Sequence, residues 1–360
     1  MTFRTFRRKS LDLLSKEWLF FSALLGLVVT SLWLGQLPTM HWSDLEPIGL
    51  LWGLFVSIRG IERSHALCRV GRGMERLPAP GISLVILGFL LGMFLTIDVA
   101  LVTLVPIIFA MGLRRRIRVL LLASFAAHAG AALLPFGTPQ NLFIYYRFQP
   151  GLLEFIRAIA PLSFSLLGLF LFAGALSGAR VEAPARRKKP RELRKVPALL
   201  YLLFFLLVAA AVLGLLPSGI VLLPLLYAWL FDTETLKVDY FLLLTFVVFL
   251  TLAANVRTMV APWFHRGEDI FFLSALLSQV ISNVPATLLL EPITPHWRSL
   301  LWGTNVGSFG TPVAALANLI LIRLVRSHAG STEGLMKPFW LANIPVLLFG
   351  AALYYALRHL

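Results

Sequence analysis

Residues 128–141 read HAGAALLPFGTPQN, and residues 305–318 read NVGSFGTPVAALAN. Laid over one another without a gap, the stretches match Gly130 with Gly307, Pro135 with Pro312 and Asn141 with Asn318, and Leu142 then falls on Leu319. Each lies in an apolar run, yet each carries the proline, glycine and amide side chains that an ordinary lipid-facing helix avoids. Two such interruptions at corresponding places predict a membrane transporter of two related halves, each giving one broken helix to a shared central site.

The composition agrees with a chain that lives in lipid. Of 360 residues 58% are hydrophobic and only 14% charged, with a mean hydropathy of +0.83. That is more apolar surface than a water-soluble core of this size can hide. The net charge of +15 does not indicate nucleic acid, because the basic residues lie in the loops between apolar runs. A single cysteine, Cys68, allows no internal disulfide and no cysteine metal cluster. The basic start MTFRTFRRKS is not followed by a short apolar region and a cleavage site, so the first apolar run is expected to be a retained span.

The expected fold is an all-α polytopic membrane protein of about nine spans, built from inverted repeats with two re-entrant hairpins and two broken helices. Residues 1–17 form a cytoplasmic N-terminal segment, 18–179 the first repeat, 180–196 a basic linker and 197–360 the second repeat. Segment 80–112 is too short for two full crossings of about 20 residues each. With Thr96 and Asp98 near its middle, it is expected to turn back as a hairpin. The counterpart is 269–292, where Asn283 stands opposite Asp98. The broken helices are placed at 117–146 and 300–325. With the N-terminus in the cytoplasm and the C-terminus outside, 26 of the 32 lysines and arginines fall on the cytoplasmic side. The setting this implies is the plasma membrane, as in a bacterial inner membrane.

The hairpin tip ISNVPATLLLEP brings Ser282, Asn283 and Thr287 to membrane depth, where their oxygens suit a hard cation such as sodium. Side chains of this kind also glue helices together. At the helix breaks, Gly137, Thr138, Pro139, Gln140 and Asn141, with Gly310 and Thr311, are candidate anion ligands, because a half-helix that restarts there presents its positive end. Asp98 is the candidate coupling group, with His128, Asn283, Asn305 and Asn318 beside it. An intramembrane carboxylate costs about 2.5–3.5 kcal/mol on insertion scales and is rarely kept without a task. The bland alternative for Asp98 is a hairpin cap, and for His128 an idle hydrogen-bonded histidine. His265, Glu268 and Asp269 have no specific metal-ligand spacing, and no Walker loop, HExxH or nucleophile elbow occurs, so neither ATP chemistry nor an enzyme is expected.

At GTPQNL, SNVPAT and GTNVGSFGTPVAALANLI the sequence resembles the ion transporter superfamily, which groups divalent-anion/sodium symporters, citrate-type carriers, arsenite permeases and sodium/proton antiporters. The nearest likeness is to bacterial anion permeases. The resemblance implies an elevator, in which hairpins and broken helices move against a scaffold, commonly within a homodimer. In the symporters Ser-Asn-Thr tips hold sodium and substrate carboxylate. Here Val284 follows Ser282 and Asn283, and the first tip reads Ile97-Asp98-Val99, which favours proton coupling or one sodium on Asp98. The expected function is cation-coupled transport, by Na+ or H+, of a small inorganic or carboxylate anion. A sodium/proton antiporter or an arsenite efflux permease on the same fold is the alternative, and a channel or an intramembrane enzyme using His128 and Asp98 is the rival from another class. No cofactor is expected beyond sodium as a coupling ion.

Overall fold

A computed structural model describes residues 17–35, 38, 42–66, 79–181, 194–260 and 266–358. The basic N-terminal segment, the loop around Cys68, most of the linker and His265 lie outside them. The described residues fold almost wholly into helices: α1 (Trp18–Leu34), α2 (Trp42–Arg63), α3 (Pro80–Phe94), α4 (Ile97–Ala110), α5 (Arg116–Ala131), α6 (Pro139–Phe148), α7 (Leu152–Ala175) and α8 (Lys195–Val212). Next come α9 (Leu222–Phe231), α10 (Tyr240–Val260), α11 (Gly267–Ile281), α12 (Asn283–Leu290), α13 (Trp297–Val306), α14 (Leu316–Ala329) and α15 (Glu333–Leu357). Four of them, α7, α8, α10 and α15, are long and apolar enough to cross a membrane alone. The chain is an all-α polytopic membrane protein, the solution that lipid imposes on a backbone that must satisfy its own hydrogen bonds.

Helices α3 and α4 are paired rather than crossing singly. With 15 residues, α3 reaches about 22 Å, short of a hydrocarbon layer of about 30 Å. Helices α3 and α5 run in the same direction, since Gly88 backs on Ala123 and Gly92 on Ala127. Gly81 at the start of α3 lies against Gly174, and Leu113 after α4 bridges Val181, so α3 begins and α4 ends at one end of the bundle. Segment 80–110 therefore turns back on itself. The turn falls at Leu95 and Thr96, which puts Asp98 in the first turn of the returning arm rather than at the bend. The pattern recurs in α11 and α13, where Gly303 backs on Ser274 and Gly307 on Ser278.

The gap-free overlay of the two breaks holds in the backbone. Pro139 starts α6 and Leu316, its partner in the overlay, starts α14. The residues before them, Thr138 and Ala315, have φ/ψ of −144°/149° and −144°/144°. Between the half-helices the second break carries a 3-10 turn at Pro312–Ala314.

Two hydrophobic cores form, and they cut across the sequence halves. One joins α3, α4, α5, α7, α11, α13, α14 and α15 around Phe125, Phe155, Phe271 and Phe339. The other joins α1, α2, α8 and α10 around Leu54, Tyr201, Phe205 and Phe246. Val99, Leu142, Phe143, Val284 and Leu288, from the hairpins and α6, are buried in this second core, and Leu95, Phe136, Tyr146, Ile281 and Leu289 pack against it. Within it, Asn255 of α10 donates to Thr30 and Ser31 of α1 at 3.0 and 2.9 Å.

Candidate functional site

Four helix starts converge on one cavity of about 140 Å3. Ile97 and Asp98 open α4, Thr138 to Gln140 lead into α6, Ser282 to Pro285 lead into α12, and Ala315 to Ala317 lead into α14. The first turn of any helix leaves backbone N–H groups without intrahelical partners, and side chains usually cap them. None of these four starts has a side-chain cap. Their dipoles each add a positive end to a cavity that, among the described residues, is also lined by the carboxylates of Glu17, Asp98 and Asp239 and the cation Arg323. Polar side-chain atoms are left open here too: Thr138 Oγ1 and His128 Nε2, on residues that line the cavity, are buried without a partner, as is Thr96 Oγ1 just before α4.

The second hairpin reaches this geometry through strain. Ser282 has φ 76° and ψ 154°, a region occupied essentially by glycine and worth roughly 1–3 kcal/mol for other residues. The twist ends α11, restarts α12 and points the start of α12 at the cavity.

Amide side chains lock the breaks to one another. Asn141 donates to Ala132 O at 2.9 Å and accepts from Asn305 Nδ2 at 2.8 Å, joining the two broken helices. Asn305 also donates to Leu301 O, and Asn283 donates to Ser308 Oγ at 2.8 Å. Gln140, Asn283, Thr138 and Ser282 line the cavity directly. His128 lines it as well, with Nδ1 3.4 Å from Ser124 O and its ring 5.4 Å from that of Phe309. A second space of about 10 Å3, room for about one water, separates His128, Thr138 and Gln140 from Asn305 and Ser308. Gly137 accepts from Ile97 N at 3.4 Å, and its α-carbon faces the Ala131 backbone so closely that a side chain has no room.

Gly137, Asn141 and Asn305 are not among the residues lining the cavity, and four more residues singled out in the sequence also stand back from it. Thr287 donates to Asn283 O, and Asn318 donates to Ser308 O and Thr311 O, so each secures backbone. Thr311 is tied to Gln279 by two bonds, and the Gly310 N–H donates to Asn343. Asp98 lines the cavity and has no protein hydrogen-bond or ion-pair partner among the described residues, which sets aside the capping alternative and any pairing with His128.

Several positions in and around the cavity were not singled out from sequence. Ser308 and Gln279 hold the second break, and the signal was present in NVGSFGTP and in a polar residue three positions before Ser282. Glu17, Trp18, Asp239 and Arg323 line the cavity at the end where the first hairpin begins and where Arg63 pairs with Asp232 and Glu234. At the opposite end, Tyr146 donates to Glu46, and Arg298 pairs with Glu154 at 2.9 Å. The described residues hold no group of three or more potential metal ligands, and Glu268 pairs with Arg358 at 2.6 Å.

A family model described as "Citrate transporter" matches residues 18–297. An uncharacterized transporter of Methanocaldococcus jannaschii is 32% identical over 257 residues, covering 68% of this chain and 70% of that protein. The inner membrane protein YbiR of Escherichia coli K12 is 31% identical over 334 residues, covering 87% of both.

Proposed function

The chain belongs to the citrate transporter family, and we propose that within it this protein is a cation-coupled secondary transporter of a small carboxylate or inorganic anion. The observation that carries the reading is the ring of four uncapped helix starts around one cavity. Backbone N–H groups and helix dipoles hold an anion without a permanent salt bridge, and a carrier must release what it holds.

Coupling follows from charge. Asp98 faces the same cavity, so an anion entering beside its carboxylate meets repulsion until a proton or a sodium ion neutralises it. Binding of cation and anion is thereby linked, and the linkage is reciprocal. Asp98 on its own also supports a second reading, a sodium/proton antiporter with no anion.

The two cores support an elevator. The hairpins, the broken helices, α7 and α15 form one body, and α1, α2, α8 and α10 form the scaffold it slides against. The cavity runs towards the end that holds most of the basic loops, which the lysine and arginine asymmetry assigns to the cytoplasm, so this conformation is inward-facing. A homodimer joined through the scaffold rests on the family resemblance.

The test is uptake into proteoliposomes of citrate, succinate, phosphate, sulfate and arsenite under imposed proton or sodium gradients. Gradient-driven accumulation of at least one anion is expected. Sodium-driven proton flux with no anion movement selects the antiporter, and arsenite as the sole cargo selects the efflux reading.

A further inference from the structure

We propose that the cleft between the start of α5 and the first turns of α15 holds an acidic phospholipid from the surrounding leaflet. It has a volume of about 640 Å3 and lies apart from the transport cavity. Arg115, Arg116 and Arg118 form its polar lip, and all three are exposed. Leu121 and Leu122 of α5 and Leu341 of α15 form its wall.

The charge on the lip is uncompensated. Among the described residues no carboxylate lines the cleft, and none of the three arginines has an ion pair. Neutral groups hold two of them in place: Arg115 Nη1 donates to Ser177 O at 3.2 Å, and the Arg116 guanidinium lies 4.5 Å from the Phe109 ring centre. Arg116 and Arg118 occupy the first turn of a helix with no side-chain cap, where the dipole disfavours cations. Arg115 is held at φ 58°, a left-handed conformation that side chains rarely adopt. An anion at the lip offsets both the unpaired charge and the unfavourable dipole.

The wall decides which anion. Leu341 is 67% exposed, so the apolar side of the cleft faces the bilayer. Guanidinium groups at the membrane boundary with leucines a turn or two deeper match a phosphate head and an acyl chain. A free phosphate leaves the leucines uncovered. Diffuse attraction between basic loops and the leaflet gives the wall no part.

Native mass spectrometry of delipidated full-length protein, offered phosphatidylglycerol or phosphatidylcholine at equal concentration, tests this. Phosphatidylglycerol adducts are expected on the wild type. They should fall about tenfold or more in the Arg116→Gln/Arg118→Gln protein, from the attraction each arginine exerts on an acidic lipid. Ala342→Trp, which fills the cleft without changing charge, should lose them too. Arg194→Gln/Lys195→Gln removes equal charge at the start of α8 and should keep them. Phosphatidylglycerol should also raise the melting temperature of the wild type but not of Ala342→Trp. The proposal is overturned by equal loss in both double variants, by undiminished binding in Ala342→Trp, by equal binding of phosphatidylcholine, or by displacement with excess inorganic phosphate.

Discussion

Asp98 and Asn283 open the returning arms of the two hairpins and face one cavity, but they differ in what each can exchange. Asp98 can take up a proton or ligate sodium. Uptake should therefore rise as the coupling cation becomes more available, and Asp98→Asn should flatten that dependence while anion binding persists. A variant that keeps the wild-type dependence on pH or sodium contradicts the assignment. Asn283 offers a neutral amide, and its Nδ2 bonds Ser308. Asn283→Ala should lower transport about tenfold or more at near-normal expression, the scale of a buried polar partner left open. Both residues were legible in the sequence because a carboxylate or an amide in an apolar run has few innocent explanations. Ser308, Gln279 and Arg323 were not, because a serine or glutamine in a membrane helix most often serves its own backbone and an arginine near a helix end most often anchors it. The backbone role of Thr287 and Asn318 was hidden for the converse reason, since a side chain that seals a helix break reads like one that binds cargo.

Among the elements, the second hairpin stores its strain at one residue. Replacing Ser282 by glycine removes a side chain from a conformation that glycine adopts freely, and should stabilise the protein by roughly 1 kcal/mol. Its transport should fall, because a softer turn aims the start of α12 less firmly at the cavity. Melting in detergent and uptake in proteoliposomes measure the two effects, and a variant both less stable and equally active counts against the reading. The sequence located the broken helices as wholes, at 117–146 and 300–325, but not where each half restarts; in the structure the same overlay matches the starts of α6 and α14. The bend of the first hairpin was displaced from Asp98 to Leu95 and Thr96. An acidic residue marks the first turn of a helix as readily as the bend before it, and sequence alone does not separate the two.

Across the whole molecule the described residues form two hydrophobic cores joined through residues of the hairpins and α6, with the cavity lined by helices of both. That division was invisible in sequence, because it runs through both repeats and depends on which faces of apolar helices meet. A single cysteine at Val313, which lines the cavity, in a Cys68→Ser background should react with a membrane-impermeant thiol reagent in inside-out vesicles, and saturating substrate should slow it. Reaction from the outer side alone contradicts the inward-facing assignment. The central claim is that an anion dwells among four helix starts, and its most direct measurement is a map of the protein with the anion found by the uptake assay at saturation. Density within hydrogen-bond reach of the backbone at Asp98, Gln140, Asn283 and Leu316 is the result this account predicts. An anion seated elsewhere, with that ring filled by side chains or water, contradicts it.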